Sequence, residues 1–205
     1  MAKSSSSRQW LREHESDAYV QLARRQGYRA RSAFKLLDID RRDRLLRPGM
    51  TVVDLGAAPG GWSQVCAERV GGSGRVVAVD LLPFDPLPKV VFIQGDFTEE
   101  PILHAVQTAL GDRELDLVLS DMAPNISGIP SADHPRSIYL VEIVRDFCLE
   151  RLKPKGSMLV KVFQGQGFDS YLRDLRTRFA QVLVRKPKAS RGRSAEVYLL
   201  ARGLT

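Results

Sequence analysis

Residues 51–62 read TVVDLGAAPGGW. The first five, Thr51 to Leu55, are β-branched or apolar apart from Asp54, and have strand length. Five small residues and a proline follow, Gly56-Ala57-Ala58-Pro59-Gly60-Gly61, and the pattern from 61 to 70 is helical. A strand running through a glycine-rich turn into a helix lets a ligand approach the backbone beside a helix N-terminus. The same device serves dinucleotide folds as G-x-G-x-x-G, but the spacing here is G-x-x-x-G-G.

Downstream, strand-length apolar runs recur at 75–80 (RVVAVD), 90–94 (VVFIQ), 115–120 (LDLVLS) and 157–162 (SMLVKV). Helical patterns at 99–110, 136–152 and 168–179 separate them. Continuous apolar runs predict strands buried on both faces, as in a parallel sheet. The alternation predicts a doubly wound α/β fold. Two closing runs, 181–186 and 195–202, have no room for a helix between them and are expected to pair antiparallel, for seven strands in all. Upstream, 10–46 is helical with a break at Gly27. The Ser-rich residues 1–9 are expected to be a disordered tail, and 10–205 a single domain.

The composition is that of a globular protein, 43% hydrophobic, with a net charge of +7. Eight Lys/Arg against one Asp fall within 171–193, and seven basic residues against three acids within 1–31. Two basic clusters flanking such a core favour a nucleic-acid partner. Cys66 and Cys148 are expected as reduced core residues. No apolar run approaches the roughly 20 residues that span a bilayer, and the N-terminus has no secretory pattern. The chain is therefore expected to be cytoplasmic, with no membrane association, and to act as a monomer. His14, His104 and His134 are scattered, and no metal site is expected.

Three acids lie at or near the carboxyl ends of consecutive strands: Asp54, Asp80 and Asp96. They suit S-adenosylmethionine, which carries a sulfonium and an ammonium, better than NAD with its two phosphates. Asp80 is placed to accept hydrogen bonds from ribose hydroxyls, and Asp96 lies within reach of an adenine amino group. The fourth strand ends in Ser120-Asp121-Met122-Ala123-Pro124, next to the first. Lys161 sits inside an apolar strand, where a lysine is costly unless paired. Glu196 opens the last apolar run, and Lys35 interrupts an apolar helix face.

In the same order, the segments RSAFKLL, DLGAAPGGWSQV, SDMAPNISG, LVKVFQG and SAEVYLLAR resemble those of the FtsJ-type ribose 2′-O-methyltransferases, over about residues 10 to 203. The resemblance implies a Rossmann-like methyltransferase fold and a catalytic tetrad at Lys35, Asp121, Lys161 and Glu196, with Lys161 as the base. It also implies S-adenosylmethionine contacts at Gly60, Trp62, Asp80, Asp96 and Asp121. The Gly-Gly-Trp loop and small size resemble the bacterial members acting on a uridine in the aminoacyl-site loop of 23S ribosomal RNA, making ribosomal RNA or the large ribosomal subunit the expected partner. Alternatives are a transfer-RNA or mRNA-cap 2′-O-methyltransferase, a non-catalytic ribosome-assembly factor that holds the cofactor, and a nicotinamide-dependent oxidoreductase. The intact tetrad argues against the assembly factor, and the loop spacing against the oxidoreductase.

Overall fold

The structure, a computed structural model, describes residues 17–124, 130–192 and 194–205. The expected tail and the helical pattern of 10–16 lie outside them. Two helices come first, α1 (Ala18–Gln26) and α2 (Ala33–Asp43). Asp17 caps α1 by accepting from Tyr19 N at 2.9 Å, and Gly27 ends it in the left-handed region at φ 74°. The Phe34 ring locks α2 to its predecessor, with Tyr19 and Tyr28 each 5.6 Å away centroid to centroid. The helix stops at Asp43, not 46, because Arg44 turns left-handed at φ 51°.

The strands and helices that follow are β1 (Thr51–Leu55), α3 (Gly61–Val70), β2 (Arg75–Asp80), β3 (Val90–Gln94), α4 (Glu100–Leu110), β4 (Leu115–Ser120), α5 (Pro130–Arg151), β5 (Leu152–Phe163), α6 (Phe168–Arg178), β6 (Phe179–Arg185) and β7 (Glu196–Leu204). They form one seven-stranded sheet in the order β3-β2-β1-β4-β5-β7-β6. The five strands from β3 to β5 are parallel, and β7 runs antiparallel between β5 and β6. This is the predicted doubly wound sheet, with one refinement: β7 also pairs with β5. β3 departs from the expectation of burial on both faces. It is the sheet edge, and Val91 is exposed there.

Each face of the sheet carries its own apolar layer. Val53, Leu55, Val118, Val160 and Leu199 pack under α4, α5 and α6. Val52, Leu117, Leu119, Leu159 and Leu200 pack under α2 and α3. Cys148 belongs to the first layer and Cys66 to the second, so the two thiols lie on opposite sides of the sheet, both free. Among the described residues no helix is long and apolar enough to cross a membrane. Because the order runs outward from β1 and β4 in opposite directions, the crevice above their carboxyl ends is the switch point where such sheets bind ligands.

Candidate active site

Beyond Leu55 the chain bends sharply. Gly56 has φ 75°, and a Cβ there would stand 2.8 Å from Met122 N, so any side chain would collide with the segment leaving β4. Gly60 has φ 98°, with Arg29, Phe84 and Leu87 close above it. The first-turn N–H groups of α3, which a helix leaves without internal partners, face this bend. Arg29 ties the surround together by donating to Asp85 O and to Pro86 O (2.9 Å).

Four acids line the edge, one from each of β3, β2, β1 and β4. Asp96 accepts from Thr98 N at 2.9 Å and Thr98 Oγ1 at 2.8 Å through one oxygen, which leaves the other open. Asp80 accepts from Ala58 N and Leu82 N, each at 2.8 Å and through different oxygens, so each keeps a lone pair for a ligand. Asp54 is wholly buried. Its Oδ2 accepts from Ser63 Oγ at 2.6 Å, while Oδ1 has no partner among the described residues. Burial, opposed by the Ser63 bond and reinforced by the charges of Asp121 and Asp80, pushes its carboxyl up to about 7. A buried oxygen without a donor is costly and calls for an explanation; a cation in the crevice would supply one.

Asp121, Lys161 and Tyr198 lie side by side across β4, β5 and β7. Lys161 is paired with Tyr198 in the sheet register, and side chains two apart share a face. The Lys161 amine, 8% exposed, donates to the Asp121 backbone carbonyl and lies 3.1 Å from Asp121 Oδ1. Tyr198 donates its hydroxyl to the same Oδ1 at 2.8 Å. From α2, Lys35 donates to Glu196 Oε1 at 2.7 Å and to Tyr198 Oη at 3.1 Å. Ser190 Oγ donates to that Glu196 oxygen at 2.9 Å. The four expected residues thus meet as two ion pairs, Lys161–Asp121 and Lys35–Glu196, bridged by the Tyr198 hydroxyl. Burial, with the carboxylates of Asp121 and Glu196, raises the phenol well above its ordinary value, so the bridge stays a neutral hydroxyl.

Tyr198 was not among the expected residues, although its position two after Glu196 on one strand puts both on one face. Trp62 lies differently from a side-chain cofactor contact. Its indole is buried, donates to Ser32 O at 2.8 Å and packs against the Tyr198 ring at 5.6 Å. What Trp62 can offer a ligand is its backbone N–H. The basic cluster at 171–193 also divides. Arg185 is held by both oxygens of Asp43, at 2.7 and 2.8 Å, and Lys186 donates to the carbonyls of Ser194 and Glu196. These two brace the fold, whereas Arg191 has no carboxylate partner among the described residues. Arg193 lies outside the described residues. Among them no group of His, Cys, Asp or Glu is placed to hold a metal.

The profile of the FtsJ-like methyltransferases matches residues 28–204, which takes in the bend, all four acids and both ion pairs. The chain belongs to the FtsJ-like methyltransferase family. Among its relatives in the family, the ribosomal RNA large subunit methyltransferase E of Alkalilimnicola ehrlichii is 60% identical over 197 residues, covering 96% of this chain and 94% of the relative. The protein of that name from Pseudomonas aeruginosa is 55% identical over 203 residues (99% and 98%), and that from an Azoarcus species 58% over 200 (98% of each). A crystal structure from Plasmodium falciparum, assigned as a ribosomal RNA methyltransferase, superposes with a TM-score of 0.78 at 28% identity, over 86% of this chain and 98% of that one.

Proposed function

We propose that this family member methylates the 2′-hydroxyl of a ribose in large-subunit ribosomal RNA, most specifically a uridine of the aminoacyl-site loop, from S-adenosylmethionine. The observation that carries this is the Asp121–Lys161–Tyr198 row beside the acidic crevice, a buried amine next to a place for a cationic donor. The names of the Alkalilimnicola, Pseudomonas and Azoarcus relatives support the RNA class. In this reading residues 10–205 act as one catalytic domain.

The residues present fit the donor. The open lone pairs of Asp80 suit ribose hydroxyls, the open oxygen of Asp96 suits an amino group, and the orphan Asp54 oxygen suits a nearby positive charge. The first-turn N–H groups of α3 suit a carboxylate. Bound there, the donor supplies an electrophilic methyl on sulfur. Lys161 Nζ, acting as the free amine, would take the proton from the 2′-hydroxyl as the methyl passes to that oxygen and the sulfur departs as a thioether. The Asp121 carbonyl and carboxylate fix the amine from two sides, and Tyr198 holds the carboxylate in turn. Lys35 and Glu196 steady Tyr198 from the far side. Aligning the reactants at near-attack distance supplies much of the rate.

Mapping 2′-O-methylation across total RNA from cells with and without the gene tests the assignment. One large-subunit ribose should lose its methyl group, and an unchanged map would end this reading. Asp80→Ala is expected to weaken S-adenosylmethionine binding by about 1.5–3 kcal/mol, the value of hydrogen bonds to a charged acceptor. Calorimetric titration of the folded variant checks it, and an unchanged dissociation constant would remove Asp80 from the ribose contact.

Asp54 gives a pH signature. An acid raised on folding stabilises the ligand-free fold while it is protonated, and that contribution is lost as pH rises through about 7. A bound cation favours the ionised form, so binding below pH 7 should release a proton, and affinity should climb with pH by at most about tenfold per unit before levelling off. Calorimetry in two buffers of different ionisation enthalpy reads the release between pH 5.5 and 7. Asp54→Asn should abolish it.

A further inference from the structure

The loop from β2 to β3, residues 81–89, leaves the crevice edge at Asp80. It carries three prolines, Pro83, Pro86 and Pro88, which have no N–H with which to tie it down. Its near end is held by Leu82 N, which donates to Asp80 Oδ1 at 2.8 Å, and by Gln94 Nε2, which donates to Leu81 O at 3.2 Å. Its outer bend is held from the turn between α1 and α2. There Arg29 Nη1 donates to Asp85 O, Nη2 donates to Pro86 O at 2.9 Å, and the guanidinium lies 5.6 Å from the Phe84 ring centroid. The main chain of the same residue is fastened to α3. Arg29 N donates to Gln64 Oε1 at 3.2 Å, and Gln64 Nε2 donates to Gly27 O at 2.9 Å. All three segments meet over the glycine bend: a Cβ on Gly60 would stand 3.1 Å from Arg29 Nη1 and 3.1 Å from Leu87, and one on Gly61 would stand 3.3 Å from Ala30.

We infer that Arg29 is a positioning residue for the methyl donor: it latches the β2–β3 loop to the glycine bend, and so sets the spacing between Asp80 and the first turn of α3 before the donor arrives. The inference rests on the S-adenosylmethionine reading above and deepens it. Asp80 already joins the same two segments, taking Ala58 N on one oxygen and Leu82 N on the other. Displacement of the loop therefore pulls directly on the carboxylate that is to receive the ribose. A loop ordered beforehand spares the ligand the entropy of ordering it, and that saving appears as affinity. The hold also depends on shape. Two nitrogens of one planar guanidinium take the carbonyls of consecutive residues, an arrangement that the compact ammonium of a lysine does not reproduce.

Hydrogen exchange on the ligand-free protein and calorimetry with S-adenosylmethionine test this together. In Arg29→Ala, amide exchange over residues 81–90 should quicken by about tenfold, while β1, β2 and α3 exchange as in wild type. S-adenosylmethionine should bind about tenfold more weakly, the order expected for losing hydrogen bonds from a charged donor. In steady state the loss should fall on KM for the donor rather than on kcat. Arg29→Lys keeps the charge and most of the stem, and its affinity should stay within about threefold of the alanine variant. Should the alanine variant fail to fold, the lysine variant against wild type supplies the same comparison. Unchanged loop exchange in a folded variant would overturn the latch, and so would full rescue by lysine. Faster loop exchange with undiminished affinity would leave Arg29 a brace with no part in positioning. Those results differ from failure of the donor reading, which shows as wild-type protein that takes up no S-adenosylmethionine and ends both.

Discussion

Replacing Lys161 with alanine is expected to lower the rate of methyl transfer by about 10²-fold or more, the range typical of a lost general base. A base acts in the transition state, so ground-state binding should hardly move. The dissociation constant for S-adenosylmethionine should stay within about threefold. Lys161→Arg is the sharper substitution, since it keeps the charge beside Asp121 but a guanidinium gives up no proton near neutral pH. An amine that only steadied charge would leave the arginine variant substantially active; an amine that takes the proton makes arginine nearly as damaging as alanine. Single-turnover rates against pH separate the two. The wild-type rate should climb with pH, and the residual rate of the alanine variant should lack that limb. Persistence of the wild-type profile in Lys161→Ala would move the role to Asp121.

Trp62→Ala should cost about 3–5 kcal/mol of folding stability, as expected for emptying a fully packed aromatic site. The indole stands where three parts meet: its ring packs on Tyr198, its N–H holds the Ser32 carbonyl at the start of α2, and its backbone opens α3 beside the glycine bend. Trp62→Phe keeps most of the volume and gives up the hydrogen bond, for about 1 kcal/mol. Chemical denaturation of both variants measures the difference. A loss in the alanine variant no larger than in the phenylalanine one would mean that the ring carries little of the packing.

Much of this architecture was legible in the sequence. β1, β2, β3 and β4 lie where their apolar runs predicted, because each run is bounded by turn residues or charges. β5 begins at Leu152, five residues early. Leu152 pairs with Leu115, and the chain bulges through Lys153–Gly156, with Lys155 at φ 65°, before the regular pairing starts. Nothing in KPKG marks a strand. α5 starts at Pro130 rather than 136, carrying Pro135 in its second turn where a boundary was expected. That Lys35, Asp121, Lys161 and Glu196 stand together was legible through family resemblance, and that Lys161 needs a partner through its cost in an apolar strand. The Tyr198 bridge and the bracing role of Arg185 needed the fold, because each depends on a partner from a different element, and the orphan oxygen of Asp54 needed it because only the packed surround shows that no donor arrives.

Lys35 and Glu196 stand 161 positions apart in the chain, yet they share one hydrogen bond. The glycine bend and its acids draw only on β1 to β4, made early in synthesis. β7 must then thread between β5 and β6 before Glu196 and Tyr198 arrive. Such long-range pairing is the slow part of folding. The pairs that join α2 to β7 can therefore close only once the last strand is in place. On the proposed reading, turnover then requires the last strand to be placed, and chains in which it is misplaced would be silent in the activity assay.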